Sequence, residues 1–372
     1  KWFSLRFKET DLNSLDEAKE WLEDATTRMY DVIAKSNFQQ EIFECYHDLI
    51  AFGTACLMIE KDQDDVLNFS ARHIKEIYIQ ENKKGYVDTI YRRFKMPSQA
   101  AADKFGVENI SKDLINTARK DPFQDVQLVH VIKPRLDFDP KKEDKKNMPF
   151  SSIYFEYESG HIISTGGFKE SPYVIPRYLK ASTETYGRSP GMNALPDVKV
   201  LNKMVENSLK AAAKQIDPPL LIPDDGMLAP IRMSPGSINY YRSGSRDRIE
   251  PLNINANTSI TINTENQRRD AINKMFHIDQ LVVTENRNMT ATEVIQRQEE
   301  KMRILGPVLG RLQSELLSPL ITRVFNILLR NGLFLQSPDI LQQQELKIEF
   351  VSPMALAQRG QELQSLMRGL EK

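Results

Sequence analysis

Cysteine is nearly absent: Cys45 and Cys56 are the only two in 372 residues. Two cysteines in different predicted elements build neither a disulfide scaffold nor a structural zinc site, and their apolar surroundings suit a reducing compartment. Long apolar runs are missing as well. No stretch approaches the roughly 20 consecutive apolar residues of a membrane span. Neither charge sign is in excess, with 50 Lys and Arg against 51 Asp and Glu and a pI near 6.6. That balance argues against a strong nonspecific nucleic-acid binder, which is usually basic. No signal peptide stands at the start. The chain begins at Lys1 and stops at Glu371–Lys372 straight after a helix-like run, the expectation being a piece of a longer protein.

The motifs of common chemistry are also lacking. There is no phosphate-binding GxxxxGK[ST], no GxGxxG at a strand–helix junction and no GxSxG elbow. The five histidines, His47, His73, His130, His161 and His277, have no partner at metal-ligand spacing. Asp64–Asp65 and Asp224–Asp225 sit in turn-like contexts and read as turn formers. No catalytic residue, metal or cofactor is expected.

What is present is ordinary globular material: 40% hydrophobic and 27% charged residues, enough for a core in two or three domains. Apolar residues recur at helical spacing from Leu15 to Ile33, with Ser14 and Glu17 as a capping box. A second helix is predicted over 37–52, between Ser36 as cap and Gly53 as stop. Strands are predicted at 54–59, 66–70, 74–80 and 86–95, helices at 98–105 and 111–119, and strands again at 126–133, 152–158, 161–165 and 173–179. Residues 1–190 therefore read as an α+β body.

The second half is organised differently. A long amphipathic helix is predicted over 192–216, with apolar residues from Leu195 to Ile216, and Pro218–Pro219 ends it. Residues 218–256, rich in Pro, Gly, Ser and Asn, read as a small β/loop module. Residues 259–277 read as a polar helix anchored by Ile262, Ile272, Met275 and Phe276. A loop over 279–289 leads to the longest helical signal, which starts at the capping pair Thr290 and Glu293 and stops at Asn331–Gly332. Pro307, after Gly306, and Pro319 each remove a backbone donor inside it, so a kinked helix is expected. The two helices around the proline-rich module need apolar neighbours. Copies of the chain in a ring supply them, and so does the α+β body. Residues 347–350 read as a strand and 354–370 as a helix.

Five stretches carry a likeness to a known family: SNFQQEIFECYHDLIAFGTACLMIE (36–60), YGRSPGMNALPDVKVLNKM (186–204), AAAKQIDPPLL (211–221), MTATEVIQRQEEKMRILGPVLGRLQSELLSPLITRVFNILLRNG (289–332) and VSPMALAQR (351–359). In order and spread, the chain resembles the portal protein, or head-to-tail connector, of short-tailed double-stranded DNA bacteriophages. The resemblance implies a portal-protein fold, α+β overall, that assembles as a ring, usually of twelve subunits. It implies a wing over 1–190, stem helices over 191–217 and 258–278 with a clip over 218–257 between them, a tunnel loop over 279–289, a long kinked wing helix over 290–332 and the start of a crown over 333–372. It implies a structural protein, not an enzyme, in the virion at the head–tail vertex, assembled in the host cytoplasm. DNA would enter through the ring during packaging and leave during ejection. The partners implied are further copies of the chain, double-stranded DNA, the terminase large subunit, tail adaptor and tail proteins, and the major capsid and scaffolding proteins, with no membrane and no cofactor.

Within that frame Asn286, Arg287 and Asn288 are the polar side chains placed to touch phosphates, with Lys274, Arg268 and Arg269 on the preceding helix as runners-up. Salt bridges or plain solvation account for the same charges equally well. Tyr240, Tyr241, Arg242, Arg246 and Arg248 are of residue types enriched at interfaces. They serve either docking of terminase and adaptor or contacts between neighbouring clips. A nucleic-acid-processing enzyme would need clustered carboxylates or histidines, and a tail adaptor would lack the α+β body and the kinked helix.

Overall fold

The structure, a computed structural model, describes residues 1–9, 11–62, 66–139, 144–217, 220–221, 250–251, 258–278, 305–335 and 346–350. It is mixed α+β and divides into two units, Lys1–Ser189 with Thr290–Lys372, and Pro190–Met289.

In the first unit, α1 (Asp16–Lys35) buries Ala18, Trp21, Leu22, Ala25, Met29 and Ile33, and α2 (Phe38–Phe52) buries Phe38, Ile42, Cys45 and Leu49. Both sets follow the three- and four-residue spacing of one helix face. The capping box predicted at Ser14 is not the start of α1. Its N-cap is Leu15, and Leu12–Ser14 forms a 3-10 turn. Asn13 holds that turn: its side chain accepts from the Phe7 N–H (2.8 Å) and donates to the Phe7 carbonyl (2.9 Å). The anchor is a strand absent from the sequence reading, β1 (Phe3–Phe7), with Phe3, Leu5 and Phe7 buried.

Among the described residues nine further strands belong to this unit. They are β2 (Leu57–Lys61), β3 (Leu67–Ala71), β4 (Ile77–Glu81), β5 (Val87–Pro97), β6 (Asp125–Pro134), β7 (Phe150–Glu156), β8 (Ile162–Phe168), β9 (Tyr173–Val174) and, late in the chain, Leu346–Phe350. β4 to β8 form an antiparallel sheet in sequence order, and a second sheet has the order β3-β2-β9. The strand expected over 173–179 shrinks to Tyr173–Val174. Pro172 and Pro176 flank it and serve the ladder only as acceptors, from the N–H groups of Ile59 (2.8 Å) and Ala55 (3.0 Å). Helices α3 (Ser98–Phe105) and α4 (Lys112–Lys120) cover the five-stranded sheet, packing Ala101, Ala102 and Leu114 against Phe94, Leu128 and Ile163. Ser111 caps α4 by accepting from the Leu114 N–H.

Leu346–Phe350 pairs antiparallel with β1, from Phe3↔Phe350 to Phe7↔Leu346. The sequence reading put this strand in a separate terminal region. The pairing joins it to the α+β body. Between them runs the long helical stretch. Residues 305–312 are α-helical, Gln313–Leu317 form a π turn, and α7 (Ser318–Arg330) follows. α7 inserts Leu320, Ile321, Val324, Ile327 and Leu328 into the main core, among Trp21, Met29, Leu57 and Phe69.

Gly53 ends α2 in the left-handed region (φ 76°), and its N–H reaches the Leu49 carbonyl at 2.9 Å. A Cβ there would lie 2.5 Å from the Gly187 carbonyl oxygen. Gly53→Ala is expected to cost more than about 2 kcal/mol, since a left-handed conformation alone costs an L-residue about 1–2 kcal/mol. A drop in the urea midpoint checks this. An unchanged midpoint contradicts the close packing of these two backbones.

In the second unit, α5 (Pro190–Ile216) and α6 (Thr258–Met275) pack as a hairpin, and Leu220–Leu221 pairs with Glu250–Pro251. Asp197 bonds Arg268 and Ser208 bonds Glu265. Contacts that advance along α5 as they retreat along α6 make the pair antiparallel.

Candidate functional site

Of the residues singled out from the sequence, Asn286–Asn288 and the group from Tyr240 to Arg248 lie outside the described residues. Arg268, Arg269 and Lys274 lie on α6. Arg268 Nη1 donates to Asp197 Oδ1 on α5 at 2.9 Å. Arg269 bonds within its own helix, to Asn266 (2.9 Å) and Glu265 (3.3 Å). Glu265 is buried and accepts from Ser208 Oγ at 2.6 Å. Arg268 thus braces the hairpin, while Arg269 is held along α6 itself. Lys274 is exposed and, among the described residues, makes no hydrogen bond or ion pair.

Other apolar side chains of the hairpin stay outside. Leu195, Val200, Leu209 and Ile216 on α5 and Ile262 on α6 are exposed, Leu209 to 67% and Ile262 to 56%. Ile262, expected as an anchor, is therefore not one within the hairpin. Glu265, one turn further on, takes the inward position because Ser208 satisfies it.

Gly306 and Pro307 open the helical stretch 305–312, and Pro319 occupies the first turn of α7. Just before Pro319, which has no N–H to give, the Ser318 N–H reaches back five residues to the Gln313 carbonyl. This π turn carries Glu315, and Glu315 meets Arg177, whose side chain is wholly buried. Arg177 donates to both Glu315 oxygens, from Nε at 3.0 Å and from Nη2 at 2.6 Å. Its backbone N–H joins Glu315 at 3.1 Å. Nη1 also bonds Glu81 and the Thr185 carbonyl, and Nη2 the Gly85 carbonyl. All five guanidinium donors are used. Lys180 adds a bond to Glu81, and Arg311 one to Glu315 at 2.8 Å. Burial works against ionisation of Glu81, but the hydrogen bonds from Lys180 and Arg177 win and hold its carboxyl below the usual range. Nothing in the local pattern marked Arg177 or Glu315.

A second buried polar group sits in β6. His130 Nδ1 is 2.8 Å from the Tyr173 hydroxyl and Nε2 is 2.9 Å from Ser152 Oγ, and its ring stacks on Tyr154 at 3.8 Å. Burial, then the positive charges of Arg92 and Lys104, push its pKa down to about 3. The imidazole is neutral at any physiological pH. Burial likewise raises the thiols, Cys45 to about 12 and Cys56 further, so neither is an activated nucleophile. Among the described residues no group of His, Cys, Asp and Glu is arranged to hold a metal ion, and no helix is long and apolar enough to cross a membrane.

The chemistry on view is structural: buried ion pairs that lock elements together, and a helical hairpin with an uncovered apolar surface. Comparison with known proteins agrees. The sequence profile described as "Bacteriophage head to tail connecting protein" matches residues 1–372. The portal protein of Salmonella phage epsilon15 is 33% identical over 374 residues, covering 98% of this chain and 67% of that protein. A probable portal protein of Bordetella phage BPP-1 is 31% identical over 370 residues, 96% of this chain and 66% of that protein. The portal protein of Enterobacteria phage T3 is 22% identical over 357 residues, 90% of this chain and 60% of that protein. This chain thus spans about two thirds of the length of these relatives, and it belongs to the bacteriophage head to tail connecting protein family.

Proposed function

We propose that the chain is the subunit of a portal ring, usually twelvefold in this family, at one capsid vertex. Double-stranded DNA passes through its channel on packaging and ejection. The ring is the docking platform first for the terminase large subunit and then for tail adaptor proteins, and it sits among major capsid and scaffolding proteins. The role is structural, with no catalysis assigned. The observation that carries the ring is the α5–α6 hairpin. Two side-chain bonds and half-buried residues such as Leu201, Val205 and Ile272 close the hairpin, while Leu195, Val200, Leu209, Ile216 and Ile262 stay exposed. Such a surface suits burial against neighbouring copies.

In this reading residues 1–190 are the wing, 191–217 and 258–278 the stem helices, 218–257 the clip, 279–289 the tunnel loop, 290–332 the kinked wing helix, and 333–372 the start of the crown. Lys274, whose side chain is unpaired among the described residues, is a better DNA-facing candidate than Arg268, which braces the hairpin, or Arg269, which is tied along its own helix. Asn286, Arg287 and Asn288 remain the loop candidates, and the group from Tyr240 to Arg248 the docking candidates. A near-neutral chain supports a sliding channel, because each neutralised phosphate adds affinity that would hold DNA in place. Negative-stain images of the purified protein are expected to show rings with a central channel. Monomers alone at micromolar concentration would overturn the ring.

A further inference from the structure

α7 carries a charge where its apolar stripe runs. Arg323 lies among Leu320, Val324 and Ile327 and is 5% exposed. Its Nε donates to the Ile59 carbonyl at 2.8 Å, and its Nη1 to the Glu170 carbonyl at 3.1 Å. Nη2 has no hydrogen-bond partner among the described residues. Burial lowers the guanidinium pKa to about 10, which leaves it charged at neutral pH. Arg323 lines a cavity of about 320 Å³ together with Lys61, Met148, Phe168, Ile327 and Arg330. Glu170 is the carboxylate paired to both arginines, and Arg330 takes both its oxygens at 2.6 and 3.0 Å. Lys61 is exposed, and its side chain makes no hydrogen bond or ion pair among the described residues. With Lys169, which also lines the cavity, four cations outnumber Glu170, and one nearly buried guanidinium keeps an open donor.

A buried charge with a donor to spare favours an anion that can reach it. The rest of the wall narrows the class. Met148, Phe168 and Ile327 form an apolar floor that a bare phosphate would leave uncovered. Glu170 beside the arginines disfavours a polyanion. We propose that this cavity receives an acidic peptide segment of a partner protein. One carboxylate meets Arg323, Arg330 and Lys61, and an adjoining aliphatic or aromatic side chain rests on Met148, Phe168 and Ile327.

A fluorescent hexapeptide, Leu-Asp-Phe-Glu-Leu-Asp, titrated with the whole chain and followed by anisotropy, tests this. Saturable binding is expected, weakening as salt is raised. The Asn/Gln counterpart is expected to bind about tenfold more weakly, as charge-assisted bonds are lost. Lys61→Gln breaks no side-chain hydrogen bond or ion pair among the described residues and is expected to keep the fold. Arg330→Gln leaves Glu170 with Arg323. Each is expected to weaken the acidic peptide about three- to tenfold at an unchanged melting temperature. Absence of saturable binding, equal binding of the acidic and amide peptides, or undiminished binding by the double variant overturns the proposal. So does displacement of the peptide by equimolar inorganic phosphate, which marks a site for small anions alone.

Discussion

Methionine in place of Arg177 lowers the stability of the chain by about 3–5 kcal/mol, the cost of removing one partner of a buried ion pair. The substitution leaves Glu315, with 8% side-chain exposure, to Arg311 alone and Glu81, with 19%, to Lys180 alone, and deprives the Thr185 and Gly85 carbonyls of their donors. Lysine is a poor rescue. It has no fork to bridge the two oxygens of Glu315 while reaching Glu81. The double variant Arg177→Met with Glu315→Met is expected to lose less than the sum of the singles, because it leaves no unpaired charge on the π turn. Urea midpoints of the three variants measure this. A loss below about 1 kcal/mol for Arg177→Met would mean that water serves the site as well as the arginine does.

The pH dependence of stability bears the mark of His130. Its pKa falls from about 6.5 in the unfolded chain to about 3 in the fold, because burial and then Arg92 and Lys104 disfavour the cation. The unfolded chain therefore binds the extra proton between these values. Stability from this group is fully present above about pH 6.5 and is lost as pH falls toward 3, by up to about 1.4 kcal/mol per pH unit. Between pH 6.5 and 5 this amounts to about 2 kcal/mol. The measurement is the difference between wild type and His130→Gln. That difference is expected to be flat above pH 7 and to shrink below 6.5. Parallel profiles across that range would show the ring to be solvated or charged in the fold.

Helices with a clear stripe were legible from spacing alone. The 98–105 helix is observed at Ser98–Phe105, and Gly53 stops α2. Strand β1 was not, although Phe3, Leu5 and Phe7 alternate correctly. Five residues carry too little pattern, and the partner at Leu346–Phe350 is invisible to any local window. Arg177, Glu315 and Arg323 have the composition of surface residues, and only the tertiary structure reveals them as buried. The α6 arginines were legible as charges on a helix. The use of Arg268 as a brace against Asp197 depends on how α5 lies beside it, whereas the Arg269 bond to Glu265 is a contact along α6.

The pairing of Phe3–Phe7 with Leu346–Phe350 sets a timetable for synthesis. At about 5–20 residues per second, the first strand leaves the ribosome roughly 20–70 s before its partner exists. Throughout that interval Phe3, Leu5 and Phe7 lack one side of their sheet, and the α1 core lacks Leu320, Val324 and Leu328. The nascent chain thus presents an open apolar edge for most of its own translation. Chaperone occupancy on the nascent chain should concentrate on its first 60 residues until Leu346–Phe350 has been made.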